Sequence, residues 1–294
     1  MLGNHLLGLY EKALDPRDTW EKRLHKAKKL GFDFVEISID ESPERYGRLF
    51  WSREQRRQLL ETSFDLEVPI QSMCLSVHRR FPFGSADAQI RSQAHELMKR
   101  AIDFAADLGI RVIQLAGYDV YYEPSTPESV AYFQQGMEWA AEQAGRAQVM
   151  LAMEIMDTPF MNSITKFQRY EQQIKSPWFK VYPDLGNLTA WPENDPEEEL
   201  NRGIGSIVAV HLKDTLSVTK DFPGQFKNLP FGKGCVDFQA RFSQLERLGY
   251  TGPYMMEMWY QSGTDDLAQV AQARDFVVAQ YAAALEYNAK GAEQ

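Results

Sequence analysis

The sequence predicts an α/β protein, a (β/α)8 barrel folded as one domain over residues 1–294. Short apolar, β-rich runs alternate with helical stretches eight times. Eight such units favour closing a parallel sheet into a ring over leaving it open and doubly wound. Three helical stretches end in Leu-Gly just before the next strand, at Leu30–Gly31, Leu108–Gly109 and Leu248–Gly249. Glycine suits the left-handed residue that closes a helix. No G-x-G-x-x-G follows the first strand, which counts against a dinucleotide-binding sheet.

The elements follow in order. "LLGLY" (6–10) is the first strand, and the helix over 19–31 puts Leu24, Ala27 and Lys28 on one turn-spaced face. "FDFVEISI" (32–39) precedes a helix over 52–65 that Ser52 caps, with Glu54 in its first turn. "VPIQSMCLS" (68–76) leads to a helix over 86–109, where Ile102, Ala105, Ala106 and Gly109 align. "RVIQLAG" (111–117), "VMLAMEIM" (149–156) and "FKVYPDLG" (179–186) follow, with helices over 126–147, 164–174 and 195–204. "IVAVHLKD" (207–214) and "PYMMEMWY" (253–260) complete the ring, with helices over 237–249 and 264–288. Thr264, ahead of Asp265 and Asp266, is the expected cap of the last helix. The prolines of "EPSTP" (123–127) and "WPENDP" (191–196) read as loops or helix entries, not as a linker. The final "AKGAEQ" reads as flexible.

Composition excludes several classes. A net charge of −9 gives no long-range attraction to nucleic acid. Two cysteines without a C-x-x-C support neither a disulfide framework nor a structural zinc site. The start, "MLGNHLLGLYEK", lacks the charged and apolar regions of a signal peptide. No apolar run approaches the roughly 18 residues of a membrane span. The expected setting is cytoplasmic, with no nucleic-acid or membrane partner.

Catalytic groups in such barrels sit at the C-terminal ends of the strands. Four consecutive strands carry polar residues there: Glu154 in "LAMEIMD", Asp184 in "VYPDLGN", His211 in "AVHLKD" and Glu257 in "MMEMW". Each alone has a bland reading: a hydrogen-bonded core histidine, a glutamate paired with a nearby base, an aspartate in an Asx-turn. Together they place three carboxylates and an imidazole on one half of the barrel mouth, where they would repel one another without a cation. One divalent ion, Mn2+, Zn2+, Co2+ or Mg2+, resolves this.

The chain also resembles the L-ribulose-5-phosphate 3-epimerase family of the xylose-isomerase-like barrels. The resemblance runs through "GLYEKAL" (8–14), "GFDFVEISIDE" (31–41), "SMCLSVHRRFPFGS" (72–85), "IRVIQLAGYDVYY" (110–122) and "LAMEIMDTPFMNSI" (151–164). It continues in "YPDLGNLTAW" (182–191), "IVAVHLKDT" (207–215), "FKNLPFGKGCVDF" (226–238) and "GPYMMEMW" (252–259). One departure is the segment "LSVTKDFPGQ" (216–225), longer than the family's usual form. The resemblance implies that Glu154, Asp184, His211 and Glu257 hold the metal. It also implies that Glu154 and Glu257 move the proton in 3-epimerisation of a ketopentose 5-phosphate. The rival readings are a related sugar isomerase, a 3-epimerase of unphosphorylated ketoses, a non-catalytic sugar-binding barrel and a metal-dependent abasic-site nuclease. Five histidines and the negative net charge argue against the last.

A sugar phosphate needs donors. "FKNLPFGKG" (226–234) offers Lys227, Asn228 and Lys233 beside the amides of Gly232 and Gly234. Lys213, the Arg79–Arg80 pair, Asn162 and Ser163 are further candidates, each with a solvated or structural alternative. Tyr10, Glu11, His78, Phe81 and Trp259 are expected near the pocket. Phe276, Val277, Tyr281 and Leu285 on the last helix suggest a homo-oligomer, a dimer.

Overall fold

The structure is a computed structural model that describes residues 2–292. Eight strands appear where the apolar runs predict them, though shorter. They are β1 (Leu7–Tyr10), β2 (Phe34–Ile39), β3 (Ile70–Leu75), β4 (Val112–Leu115), β5 (Met150–Glu154), β6 (Phe179–Tyr182), β7 (Val210–Leu212) and β8 (Tyr254–Met256). All pairings are parallel, in the order β6-β5-β4-β3-β2-β1-β8-β7. Parallel bridges at Val181–Ile207 and Asp184–His211 bring β6 against β7 and close the ring.

The helices are α1 (Trp20–Lys29), α2 (Pro43–Gly47), α3 (Arg53–Asp65), α4 (Ala88–Leu108), α5 (Pro127–Ala147), α6 (Ile164–Ile174), α7 (Leu185–Ala190), α8 (Pro196–Gly203), α9 (Phe238–Arg247) and α10 (Asp266–Ala292). Ser52 and Gln55 form a capping box on α3. Gly31, Gly109 and Gly249 take φ of 74°, 69° and 73°, as the Leu-Gly endings require. The cap of α10 is Asp265, whose Oδ1 accepts from Leu267 and Ala268 N–H at 3.0 and 3.2 Å; Thr264 instead donates to Gln261 O. The short helices α2 and α7 were not expected. Five of the six residues of α7 are buried, so it shows no amphipathic stripe to read.

Alternation along each strand builds two apolar layers. Val35, Ile37 and Ile39 of β2 join the main core between sheet and helices. Tyr10, Phe34, Cys74, Ala152, Tyr182, Ala209 and Met255 form a second buried cluster, inside the ring. This second set positions the site. Two residues beyond Ala152, Tyr182, Ala209 and Met255 stand Glu154, Asp184, His211 and Glu257. They therefore share the inward face, one layer nearer the mouth.

Three of the four residues expected on an oligomer face are used within the fold. Val277 and Tyr281 are buried, Tyr281 against Phe242 at 5.5 Å, and Phe276 packs on Phe231 and Phe238. Leu285 remains exposed. Helix α10 continues through Ala292, past the expected end at 288; Glu293 and Gln294 lie outside the described residues. Among the described residues no helix is long and apolar enough to cross a membrane.

Glu11 faces away from the pocket expected for it. Its carboxylate accepts from Arg23 Nη1 at 2.6 Å, from Arg48 Nη1 and from Ser38 N–H at 2.7 Å, all buried. Both guanidinium groups lie about 5 Å from the Trp20 ring. Removing one partner of such a group leaves a buried charge uncompensated, so Glu11→Ala should cost about 3–5 kcal/mol of stability in urea unfolding. A loss under about 1 kcal/mol would mean that the two arginines reach other partners.

Candidate metal centre

Glu154 ends β5, Asp184 follows β6, His211 lies within β7 and Glu257 follows β8. One ligand atom from each lies within 4.8 Å of the others, and all four side chains are buried. Asp184 has two tasks. Its Oδ1 caps α7, accepting from Asn187 N–H at 2.6 Å, while Oδ2 faces the cluster. The Asx-turn reading and the metal reading thus fall on different oxygens of one side chain.

His211 is held from behind. Its Nε2 lies 3.1 Å from Glu36 Oε1, and Glu36 Oε2 accepts from Ser72 Oγ at 2.7 Å. The other nitrogen, Nδ1, lies 3.4 Å from Glu154 Oε1, 3.8 Å from Asp184 Oδ2 and 3.9 Å from Glu257 Oε2. Among the described residues, neither His211 Nδ1 nor Asp184 Oδ2 has a hydrogen-bond partner. Buried polar atoms are rarely left so. Two orphaned donor atoms in a group of three carboxylates and an imidazole fit a divalent cation.

Lys213 Nζ lies 2.9 Å from Glu257 Oε2 and 3.1 Å from Asp184 Oδ2, the second without hydrogen-bond alignment. The ammonium is thus tied to the cluster. Burial pushes Asp184 up to about 7, against the pull of Lys213. Burial also raises Glu154, the His211 contact opposes this, and the charge of Glu257 adds to it. Glu257 goes the other way: burial opposes ionisation, but Lys213 and His211 hold it down to about 2. The two glutamates therefore differ in environment although their strands are related by the ring.

Two cavities meet here. A small one of about 40 Å³ is lined by Tyr10, Lys12, Cys74, Arg79, Tyr118, Glu154, Met156, Asp157, Asn187, Lys213, Lys227, Glu257 and Trp259. A larger one of about 370 Å³ lies between the 228–233 loop and α10 and shares Lys213, Glu257 and Trp259 with the first. Arg79 and Lys227 reach the small cavity, and neither forms an ion pair among the described residues. Arg79 rests against the Tyr118 and Tyr121 rings at 5.9 and 5.5 Å, with its buried Nε unpartnered. Lys227 lies 5.8 Å from the Trp259 ring.

The other expected phosphate contacts are arranged differently. Asn228 and Lys233 line only the larger cavity. Arg80 is exposed, over the Phe81 ring. Asn162 is buried between Glu193 and Lys166, and Ser163 caps α6. The amides of Gly232 and Gly234 do meet an anion, but it is the Asp214 carboxylate, at 2.9 and 2.8 Å. His78 stacks on Phe83 and bonds to Ala94 O. Phe81 packs on Tyr46, outside both cavities. The 216–225 segment folds as a small hairpin and lines neither cavity.

Sequence reasoning missed Glu36, Lys12, Tyr118 and Asp157. Glu36 carried a usable signal, a carboxylate in the middle of "FVEIS", but it lies within a strand and not at its end. Lys12, paired with Asp40 at 2.5 Å, sits in the turn after β1 and has no pattern to mark it.

A parallel eight-stranded barrel with a buried acidic and imidazole cluster at its mouth has known relatives. The family described as xylose isomerase-like TIM barrel matches residues 24–280. A putative L-ribulose-5-phosphate 3-epimerase, SgbU, of Haemophilus influenzae is 52% identical, covering 94% of this chain and 96% of that one. An L-ribulose-5-phosphate 3-epimerase, UlaE, of Escherichia coli strain SMS-3-5 is 55% identical, covering 95% of each. Among solved structures, a D-allulose 3-epimerase of a Methylomonas species in complex with D-allulose superposes with a TM-score of 0.76. It has 18% identity and covers 94% of this chain and 98% of its own, a likeness of fold. The protein is thus an isomerase of the epimerase type. Within the xylose isomerase-like barrels, the chain belongs to the L-ribulose-5-phosphate 3-epimerase family.

The partner behind a metal-binding histidine fixes its tautomer and ring position. Glu36→Gln should therefore weaken binding of Mn2+ to chelator-stripped protein by about 10–100-fold in calorimetric titration. An affinity equal to the parent's would show that Glu36 does not orient His211.

Proposed function

We propose that this enzyme inverts C3 of L-ribulose 5-phosphate to give L-xylulose 5-phosphate, and runs the same step in reverse. The 52% and 55% identities, over nearly the whole chain, to relatives bearing that activity in their names support the substrate. The observation that carries the chemistry is the pair of buried atoms without a hydrogen bond among the described residues, His211 Nδ1 and Asp184 Oδ2 (the latter 3.1 Å from Lys213 Nζ), within one small cluster with Glu154 and Glu257.

Glu154, Asp184, His211 and Glu257 would hold one divalent ion, and Mn2+, Mg2+, Co2+ and Zn2+ all suit this donor set. When bound, it would stabilise the negative charge that develops on the ketose oxygens as the C3 proton leaves. The chain's own residues do the rest. Inversion needs one group to remove the C3 proton and another to supply a proton to the opposite face. Glu154 and Glu257 come from strands three apart in the ring and converge on one gap. In one direction Glu257 takes the proton and Glu154 gives one, or the reverse. Each turnover leaves the pair with the protons exchanged, so the return reaction restores it. Lys213 keeps a positive charge beside Glu257 throughout. Tyr10, Tyr118 and Trp259 wall the small cavity and limit water.

Arg79 and Lys227 supply the phosphate contacts. They are cations without carboxylate partners, at the cavity that Glu154 and Glu257 also line. That cavity alone is too small for a pentulose phosphate. The substrate also uses part of the larger cavity, past Trp259.

Incubation in D2O tests the proposal directly: the parent should place deuterium at C3 of both ketose phosphates, and no exchange at C3 would end the epimerase reading. Glu154→Gln and Glu257→Gln should each lower kcat by at least about a hundredfold, the usual contribution of a positioned acid or base. A variant within about tenfold of the parent would discard the two-base scheme. Arg79→Ala should raise KM for L-ribulose 5-phosphate about 10–100-fold, as loss of a charge-assisted contact implies, and barely change KM for L-ribulose. An equal rise for both sugars would move the phosphate elsewhere.

A further inference from the structure

Asp214 follows Lys213 and is buried, yet among the described residues no cation pairs with it. Its partners among them are main-chain N–H groups. Oδ2 accepts from Gly232 at 2.9 Å and Gly234 at 2.8 Å; Oδ1 accepts from Thr215 at 3.0 Å and Val236 at 3.3 Å. Three of these four donors belong to the segment after Lys227. The backbone is shaped around the carboxylate. A Cβ built on Gly234 would stand 2.2 Å from Asp214 Oδ1, so only glycine fits. Cys235 N–H also bonds to Thr215 O at 2.8 Å, and Thr215 Oγ1 bonds to Gly186 O at 2.9 Å. One short stretch, His211 to Thr215, thus joins the cluster, α7 and the 226–236 loop.

We infer that Asp214 is a positioning residue for substrate recognition: it clasps the 226–236 loop so that Lys227 stands at the small cavity. The inference rests on the phosphate reading above. Phe226 and Phe231 pack the loop on Trp191 and on Phe238 and Phe276, but Lys227, Asn228, Gly232 and Lys233 are all exposed. A carboxylate with four N–H donors holds such a loop with charge-assisted bonds that no neutral side chain replaces. An asparagine at 214 would turn an N–H2 group toward amides that can only donate. The clasp is keyed to the strand that carries His211, so loop and cluster keep one spacing.

The test uses metal-loaded parent, Asp214→Asn and Gly234→Ala, the second reaching the clasp from the loop side. Each is assayed with L-ribulose 5-phosphate and with L-ribulose, and metal content is measured. Both variants should raise KM for the phosphate ester at least about tenfold, with kcat changed far less, metal content kept, and KM for L-ribulose within about twofold. The positioning role is overturned if the folded, metal-loaded variants keep the parent's KM for the ester, or if KM rises equally for both sugars. If Asp214→Asn does not fold, Gly234→Ala alone decides. A parent that handles both sugars equally removes the phosphate reading; the clasp is then judged by whether the variants change KM for either sugar.

Discussion

The structure depends on a crowding of like charge that the β-ladder itself imposes. Side chains on a strand face alternate, so a residue two past an interior one stands one layer higher on the same side. Four adjacent strands place an ionisable group at that position. The result is three carboxylates and an imidazole within 4.8 Å, with Lys213 beside them. Burying such a group costs far more than burying apolar side chains of equal size. Such a group could hold a divalent cation, and Lys213 already supplies one positive charge beside it. The remaining features, Glu36 behind His211, Asn187 donating to Asp184 and Lys213 against Glu257, all fix the orientation of one member of the cluster.

Much of this was legible in the sequence because it follows from two periodicities. The period of the strands and the Leu-Gly helix endings gave eight units in order. The same period marked Glu154, Asp184, His211 and Glu257 as polar residues where a packed interior would have apolar ones. What was illegible depends on contacts between segments distant in the chain. Glu11 looked like a pocket residue because it directly follows β1, but Arg23 and Arg48 come from elements that pattern cannot pair with it. Phe276, Val277 and Tyr281 looked like an outer face because a long last helix carries them and no pattern shows what they pack on. Their partners on α9 and in the preceding loop absorb them. The loop amides of Gly232 and Gly234, expected to face a substrate phosphate, meet a carboxylate instead, on a side chain eighteen and twenty residues earlier.

An acidic protein with an anionic substrate is not a contradiction, because the field at a site is set within a Debye length of roughly 8 Å. Net charge resides mostly on solvated helices, where pairs such as Arg57 with Glu54 and Glu61 screen one another. At the mouth the cations are sorted by partner. Lys12 is bound to Asp40, Lys213 to the cluster, and Arg79 and Lys227 to aromatic faces alone. A ring can hold a cation in place without neutralising it. Arg79 and Lys227 therefore keep their charge available to an incoming ligand, whereas Lys213 does not. That division explains why the two lysines nearest each other in role, 213 and 227, take opposite assignments. On the reading proposed above, Lys213 balances the acids that move protons, and Lys227 meets the charged end of the substrate from the loop that Asp214 clasps.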